Sequence, residues 1–339
     1  MKPTTLKDIA TELNISIATV SKSLKSYSDV SRSTRAAVVK MVKKMNYNPN
    51  VAAVNLRTQQ SKTIGVIIPT VAHQFFSEVL SGIIEEAEKN GYLVITLQSN
   101  EQVDSEKRQI LLLQHKRVDG ILISLSNETY KFKHIEEVIQ NNIPVVLFDK
   151  ISKIVNCSKV TINDCQAAYD AVTYLIKKGY KKIAHFRGSL KPQNSIDRFV
   201  GYKKALVDNG ISFDPLLVYL CDNNDDFNDG FQNARKLLDE QPDVDAIFAI
   251  TDSVAVGIYN CFHEVGIKVP EDIAIFGFSN WFMSSVLTPS LSTIQQPGFE
   301  MGRKSCEILL EEIKNLKNDI SYNFQQVVLP TSLVIRNST

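Results

Sequence analysis

Cysteine is scarce and poorly placed for bonding. The 339-residue chain has five (157, 165, 221, 261 and 306), an odd number, widely spaced and without a C-x-x-C pair. This argues against a disulfide framework or a zinc site and for a reducing compartment. Long apolar runs are also missing. No stretch approaches the ~18 uninterrupted apolar residues of a membrane span, and Met1-Lys2-Pro3-Thr4-Thr5 lacks the apolar core of a secretory signal. A cytoplasmic chain with no membrane partner is expected. Catalytic signatures are absent too: no G-x-G-x-x-G follows the first strand-like run, and there is no P-loop or G-x-S-x-G. The five histidines (His73, His115, His134, His185 and His263) are dispersed. No metal, no cofactor and no enzymatic activity is expected.

Net charge is nearly absent at +1, but the balance is uneven. Residues 1–60 hold ten of the 38 Lys and Arg and only three of the 37 Asp and Glu. A compact basic head on an acidic body suits a polyanion partner for the head alone. At 44% hydrophobic and 22% charged, the chain has the composition of a folded globular protein. Its length calls for two or three domains.

The head reads as short helices. Thr5 can cap the first, with Asp8 three residues on as a short capping box, and Leu6, Ile9, Ala10 and Leu13 form its apolar face. Asn14 stands at the turn, where Asn tolerates a left-handed backbone. Ser16 can cap a second helix that buries Val20 and Leu24. Ser31 or Ser33 caps a third, whose stripe is Ala37, Val38, Met41, Val42 and Met45. Two short helices joined by a tight turn form a helix-turn-helix, whose second helix enters the DNA major groove. The segment Asn50-Val51-Ala52-Ala53-Val54-Asn55-Leu56-Arg57 is helix-competent, yet two turns alone are marginal in water. It should need DNA or its twin as a partner, and Thr58–Lys62 reads as a linker.

From Thr63 apolar strand-like runs alternate with amphipathic helices. The strands are Ile64–Ile68, Tyr92–Leu97, Gly120–Ser124, Val145–Phe148 and Val160–Ile162, then Ile183–Phe186, Val218–Leu220, Ala246–Ala249 and Ala274–Phe276. The helices are Ser77–Asn90, Asp104–His115, Phe132–Gln140, Cys165–Lys178, Ile196–Asn209, Asp229–Asp239 and Ser253–Glu264. Such alternation implies parallel sheets covered on both faces. The fold class is therefore α/β: an all-α helix-turn-helix head plus two doubly wound parallel-sheet subdomains. A ligand would sit at the carboxyl ends of the strands, in the crevice between them.

In order, the motifs are Leu6-Lys7-Asp8-Ile9-Ala10, Ile17-Ala18-Thr19-Val20-Ser21, Asn46-Tyr47-Asn48-Pro49-Asn50, Leu56-Arg57-Thr58 and Ile64-Gly65-Val66-Ile67-Ile68-Pro69. Then come Phe75-Phe76, Arg117-Val118-Asp119-Gly120-Ile121, Gly179-Tyr180-Lys181-Lys182-Ile183-Ala184, Arg198-Phe199-Val200-Gly201-Tyr202, Thr288–Pro297 and Met301-Gly302. Together, and over essentially the whole chain, they resemble the lac repressor family (LacI/GalR-type). The resemblance implies a homodimeric transcription regulator, a repressor, controlled by a small-molecule effector in a core like that of periplasmic sugar-binding proteins. It implies a helix-turn-helix domain at 1–49, a hinge helix and linker at 50–61, an N-subdomain at 62–161 plus 293–320, and a C-subdomain at 162–292 plus 321–339. The partners it implies are a pseudo-palindromic double-stranded operator and a carbohydrate, and the location is the cytoplasm, on the nucleoid.

In such a head the second helix presents Ile17, Ala18 and Lys22 to base edges. Ile17 and Ala18 make only apolar contacts, for instance with a thymine methyl, while Lys22 can donate to guanine. Many relatives carry Arg at the Lys22 position, and Lys lacks the bidentate fork. Thr5, Leu6, Ser16, Thr19, Ser21, Ser31, Thr34 and Asn50 join the contact set, the hydroxyls as phosphate ligands. Ser16 and Ser31 would cap helices as well. Paired hinge helices, close at Ala53, would wedge Leu56 between base pairs while Arg57 reaches phosphate. Val54 departs from the Arg of many relatives.

For the effector, His73, Phe75, Phe76, Asp149, Asn194, Arg198, Thr251, Asp252, Ser279, Asn280, Trp281 and Gln296 are the candidates. Phe75 and Phe76 could instead be core aromatics, Asp252 a helix cap, and Trp281 a residue packed under a loop. Arg198 is matched by a ligand-binding arginine in relatives. Ser279 stands where many relatives have Asp, and the loop with Asp225, Asp226 and Phe227 fits the family poorly. The competing readings are a sugar-binding sensor with no transcriptional role and an enzyme on the same fold. The C-terminus has no leucine heptad of the tetrameric kind, so a dimer is expected.

Leu56→Ala should greatly weaken specific operator binding while the head stays folded. A gel-shift titration showing unchanged affinity would remove the wedge.

Overall fold

The structure, a computed structural model, describes residues 4–24, 29–47 and 60–339. Asn50, Ala53, Val54, Leu56 and Arg57 lie outside the described residues. The chain divides into two compact units, Met1–Ser61 and Lys62–Thr339.

In the first unit, α1 (Leu6–Glu12), α2 (Ile17–Leu24) and α3 (Arg32–Lys44) surround a small core of Ile9, Ala10, Val20 and Val38. The predicted caps form. Thr5 accepts from the Asp8 amide at 3.3 Å, and the Asp8 carboxylate accepts from the Thr5 amide at 2.7 Å. Ser16 Oγ accepts from the Thr19 amide at 3.0 Å, and Ser31, rather than Ser33, caps α3 through the Thr34 amide at 3.1 Å. Asn14 takes the expected left-handed backbone (φ 49°). Two expectations fail. Leu24, at the end of α2, is 37% exposed, and Ala37 is exposed because the buried stripe of α3 runs through Val38, Met41, Val42 and Met45.

The second unit holds two parallel sheets. The six-stranded sheet runs in the order β11-β5-β4-β3-β1-β2, from β1 (Thr63–Ile68), β2 (Leu93–Gln98), β3 (Gly120–Ile123), β4 (Val145–Phe148), β5 (Ser158–Ile162) and β11 (Gln326–Leu329). The four-stranded sheet runs β7-β6-β8-β9, from β6 (Ile183–Gly188), β7 (Val218–Cys221), β8 (Ala246–Ala249) and β9 (Ala274–Phe276). Strands β3, β4, β8 and β9 are buried at every position, as parallel strands covered on both faces must be. A short antiparallel ribbon, β10 (Thr293–Gln295) with β12 (Ser332–Val334), completes the strands.

Helices cover both sheets. In the first lobe these are α4 (Gln74–Lys89), α5 (Val103–His115) and α6 (Lys133–Gln140). The second lobe has α7 (Asp164–Lys177), α8 (Gln193–Asp208), α9 (Asp226–Glu240), α10 (Asp252–Val265) and the short α11 (Met283–Val286). The twenty-residue α12 (Gly298–Lys317) returns to the first lobe and packs on α4. That crossing depends on Gly82 and Gly302: a Cβ on either would collide with a backbone carbonyl of the facing helix, Phe299 and Val79 respectively. One boundary is corrected. Residues 326–329, expected with the C-subdomain, form β11 of the six-stranded sheet, where Val327 pairs with Val160. The chain from α12 reaches the open edge beside β5 before it crosses again to β12.

Under that edge lies Glu312 of α12, buried at 3% exposure. Its Oε1 accepts from the Ser158 hydroxyl, and Oε2 has no partner. Burial pushes its carboxyl up to about 7, the Ser158 bond pulling the other way. The native state therefore holds this proton where the unfolded chain, titrating near 4.5, releases it. Its stabilising contribution is complete below that pH and fades as pH rises to about 7. Glu312→Gln should remove this dependence, gaining up to ~3 kcal/mol over wild type between pH 4.5 and 8. A difference in unfolding free energy that stays constant across that range would refute the assignment.

Candidate DNA-reading head and ligand cleft

On α2, Ile17 (47% exposed), Ala18 and Lys22 face solvent, while Val20 and Ser23 turn inward. Two apolar side chains and an ammonium thus share an exposed helix face, as base-edge contact requires. Lys22 Nζ lies 2.5 Å from Asp29, whose carboxyl it holds below the ordinary range. Of the hydroxyls, Thr5, Ser16, Thr19, Ser31 and Thr34 are engaged in capping contacts at their helix starts, and Ser21 is half-buried on α2. Leu6 packs against the head core.

In the second unit a cavity of ≈ 270 Å³ opens between the sheets, and all twelve residues singled out from the sequence line it. The first sheet's side supplies His73, Phe75 and Phe76 from the start of α4, and Asp149 from the end of β4. The second supplies Asn194 and Arg198 from α8, Thr251 and Asp252 from the start of α10, and Ser279, Asn280 and Trp281 after β9. Gln296 comes from the segment joining β10 to α12. The crevice at the strand ends is the site that the topology favours.

Their side chains are not equally free. Asp252 is 1% exposed, and both its oxygens are occupied: Oδ1 accepts from Thr293 Oγ1 at 2.6 Å, Oδ2 from the Trp281 amide and Ser284 Oγ at 2.7 Å each. It braces the 278–284 loop. The alternative reading as a cap does not fit it, because the cap of α10 is Thr251, which accepts from the Val254 amide. Thr251 Oγ1 also donates to Asp226 at 2.8 Å. Asn280 is committed as well, donating to Gln295 and accepting from Arg336 at 2.7 Å. Phe76 is a core residue at 4% exposure, edge-on to the half-buried Phe75 with centroids 5.2 Å apart. Trp281 is half-buried and meets Phe282 edge-on.

Arg198 is buried. Its Nε donates to Asp164 at 2.8 Å, Nη1 to the Ile250 carbonyl at 2.8 Å, and its plane lies 3.5 Å over the Phe278 ring. Burial pushes the Asp164 carboxyl up to about 7, against the pull of Arg198. Asp149 is also buried, in a left-handed backbone (φ 56°), and burial raises its carboxyl. It accepts only two long bonds, from Ser124 Oγ and Asn194 Nδ2, both 3.4 Å. Gln296 Nε2 and Ser195 Oγ, both on the cleft wall, are buried without a partner.

Sequence reasoning missed Ser195, Glu101, Asn127 and Lys150 on this wall. Lys150 and Glu101 follow β4 and β2, so the strand-end rule could have found them. Lys150 Nζ lies 2.5 Å from Glu101 Oε1 and 2.6 Å from Asn127 Oδ1. Three contacts span the mouth of the cleft: the Phe282 amide to Gln74 Oε1 at 2.8 Å, Asn127 Nδ2 to Asn224 Oδ1 at 3.4 Å, and Lys153 to Asp197 at 3.1 Å. His185 is a core histidine, driven down to about 3 by burial. Among the described residues no cluster of metal-ligating side chains occurs, and no helix is long and apolar enough to cross a membrane.

Residues 5–50 match the model of bacterial regulatory proteins of the lacI family, and residues 61–329 match that of periplasmic binding proteins and the sugar-binding domain of the LacI family. Catabolite control protein A of Priestia megaterium is 33% identical over 336 residues, 99% of each chain. The ribose operon repressor of Haemophilus influenzae is 31% identical over 334 residues, 98% of each. Among solved structures, the lac repressor dimer bound to operator and an anti-inducer superposes with a TM-score of 0.87 at 26% identity, covering 99% of both chains. With head and core both matched in one order, the chain is an effector-controlled, DNA-binding transcription regulator and belongs to the lacI family of bacterial regulatory proteins.

Proposed function

We propose that this regulator is a cytoplasmic, nucleoid-associated repressor that binds a pseudo-palindromic operator as a homodimer. Its effector is a sugar or sugar derivative held between the two sheets of the core. The observation that carries the effector reading is a set of buried, unmet polar groups facing the cleft from both lobes. Asp149 has two long bonds, and Gln296 Nε2 and Ser195 Oγ have none. Each unmet buried group costs roughly 1–3 kcal/mol. A polyhydroxylated ring, donor and acceptor at every carbon, supplies the missing partners, and Phe75 and Trp281 offer it apolar faces. Arg198 adds Nη2, which has no partner among the described residues.

For the head, the reading assigns base edges to Ile17, Ala18 and Lys22, and phosphates to the hydroxyls of Thr5, Ser16, Thr19, Ser21, Ser31 and Thr34. It assigns residues 50–61 to the hinge and Asn50, Ala53, Leu56 and Arg57 to the minor groove. A relative named for a ribose operon and a neighbour solved as an operator-bound dimer support the sugar and dimer readings.

Operator sequences selected from a random duplex library should form a pseudo-palindrome, and one member of a sugar panel should shift the affinity for it. In protein shown to be folded by circular dichroism, Arg198→Ala should lose at least tenfold in effector affinity, read by fluorescence anisotropy. A variant responding to the same effector at the same concentration would remove Arg198 from the site.

A further inference from the structure

The cleft contains two permanent cations, Lys150 and Arg198, and five carboxylates, Glu78, Glu101, Asp149, Asp226 and Asp252. Both cations are already paired with a carboxylate. Arg198 holds Asp164, and Lys150, only 14% exposed at its side chain, holds Glu101 and Asn127. The second pairing is built at a cost. Glu101 stands in the loop between β2 and α5, where Asn100 and Glu101 both adopt left-handed backbones (φ 54° and 59°). Asn tolerates that conformation and Glu does not. The Asn127 amide, at 2.8 Å, fixes the second oxygen of the same carboxylate. The loop thus holds strain in order to aim one carboxylate at one ammonium.

We propose that Glu101 is a charge selector: by neutralising Lys150 it makes the cleft take an uncharged polyol and reject the phosphate monoester of that polyol. The inference rests on the reading of this cavity as the effector site. A phosphate dianion entering here meets, among the described lining residues, no permanent cation that lacks a carboxylate partner. It faces Asp149 and Asp226, neither of which has a cation within ion-pair distance. In a desolvated cleft such repulsion is weakly screened. An uncharged polyol escapes the repulsion and still satisfies Asp149. Removing the Glu101 charge changes the balance twice, deleting one repelling carboxylate and releasing the Lys150 ammonium toward the cavity.

The test is calorimetric titration of the full chain with inorganic phosphate, ribose 5-phosphate and glucose 6-phosphate, each ester beside its parent sugar. Wild type should bind none of the three anions at millimolar concentration. Glu101→Gln should lower the Kd for at least one of them at least tenfold. Glu101→Ala, which leaves no new amide against Lys150, should do the same if the glutamine variant does not fold. Adding Lys150→Gln to either should abolish the gain, a result that a purely structural Glu101 would not give. An ester that binds wild type as tightly as its parent sugar, or folded Glu101 variants with unchanged phosphate binding, would overturn the proposal. Parent sugars that bind neither wild type nor variants, beside the expected phosphate gain, would count against the sugar reading and leave the charge selector standing.

Discussion

The Arg198–Asp164 pair is the contact around which the core is organised. Asp164 opens α7 just after the chain leaves β5, and Arg198 lies on the first two turns of α8. The same guanidinium caps the Ile250 carbonyl beyond β8 and covers Phe278 beyond β9. One side chain thereby ties two helices to two strand ends at the cleft wall. Burying both charges costs several kcal/mol each before their attraction is counted, so the pair is a poor device for stability alone. Its value is positional. A planar group with nitrogens on fixed bearings can hold a carboxylate and a carbonyl and still present an edge, which a lysine on a flexible stem cannot do.

The cleft separates two kinds of buried acid. Asp252 is held by Thr293, Ser284 and the Trp281 amide, which fix it in place. Asp149, equally buried, is left with two bonds at 3.4 Å. Backbone strain follows the same boundary: Asp149, Ser279 and Asn280 all take positive φ at the strand ends. Strained backbone at these strand ends marks positions where side-chain placement outweighs local comfort.

Much of this was legible in the sequence because the signals were local. Continuous apolar runs gave nine of the strands within about two residues at each end, and Thr5, Asn14 and Ser16 gave the turns and caps of the head. Strand β11, an edge strand whose exposure alternates, escaped although Val327-Val328-Leu329 is a short apolar run. All twelve cleft residues were legible from strand ends and the family resemblance, but their commitments were not. Asp252 meets Thr293 41 positions away, and Asn280 meets Arg336 56 positions away. Such pairings exist only once the chain has crossed between lobes. Glu101 was hidden for a related reason: its partner Lys150 is 49 residues distant, and nothing in the local sequence marks a left-handed glutamate.

The bonds across the cleft mouth bear on how a small molecule could act as a switch. They are few: one amide to Gln74, one long Asn127–Asn224 contact and the Lys153–Asp197 pair, whose lysine is largely exposed. An exposed ion pair contributes ~0–1 kcal/mol and a neutral hydrogen bond about 1. These mouth contacts therefore contribute only a few kcal/mol to the lobe arrangement, beside the long Asn194–Asp149 bond deeper in the cleft. Moving a two-state equilibrium from 1:99 to 99:1 takes about 5.5 kcal/mol of differential affinity. On the proposed reading, a ring bonding Asp149 and Gln296 on one side and Ser195 and Arg198 on the other would have enough contacts to supply that difference, because those groups belong to different lobes. A latch much stronger than the one observed would put the switch beyond the reach of a single small ligand, and none at all would leave the ligand nothing to select between.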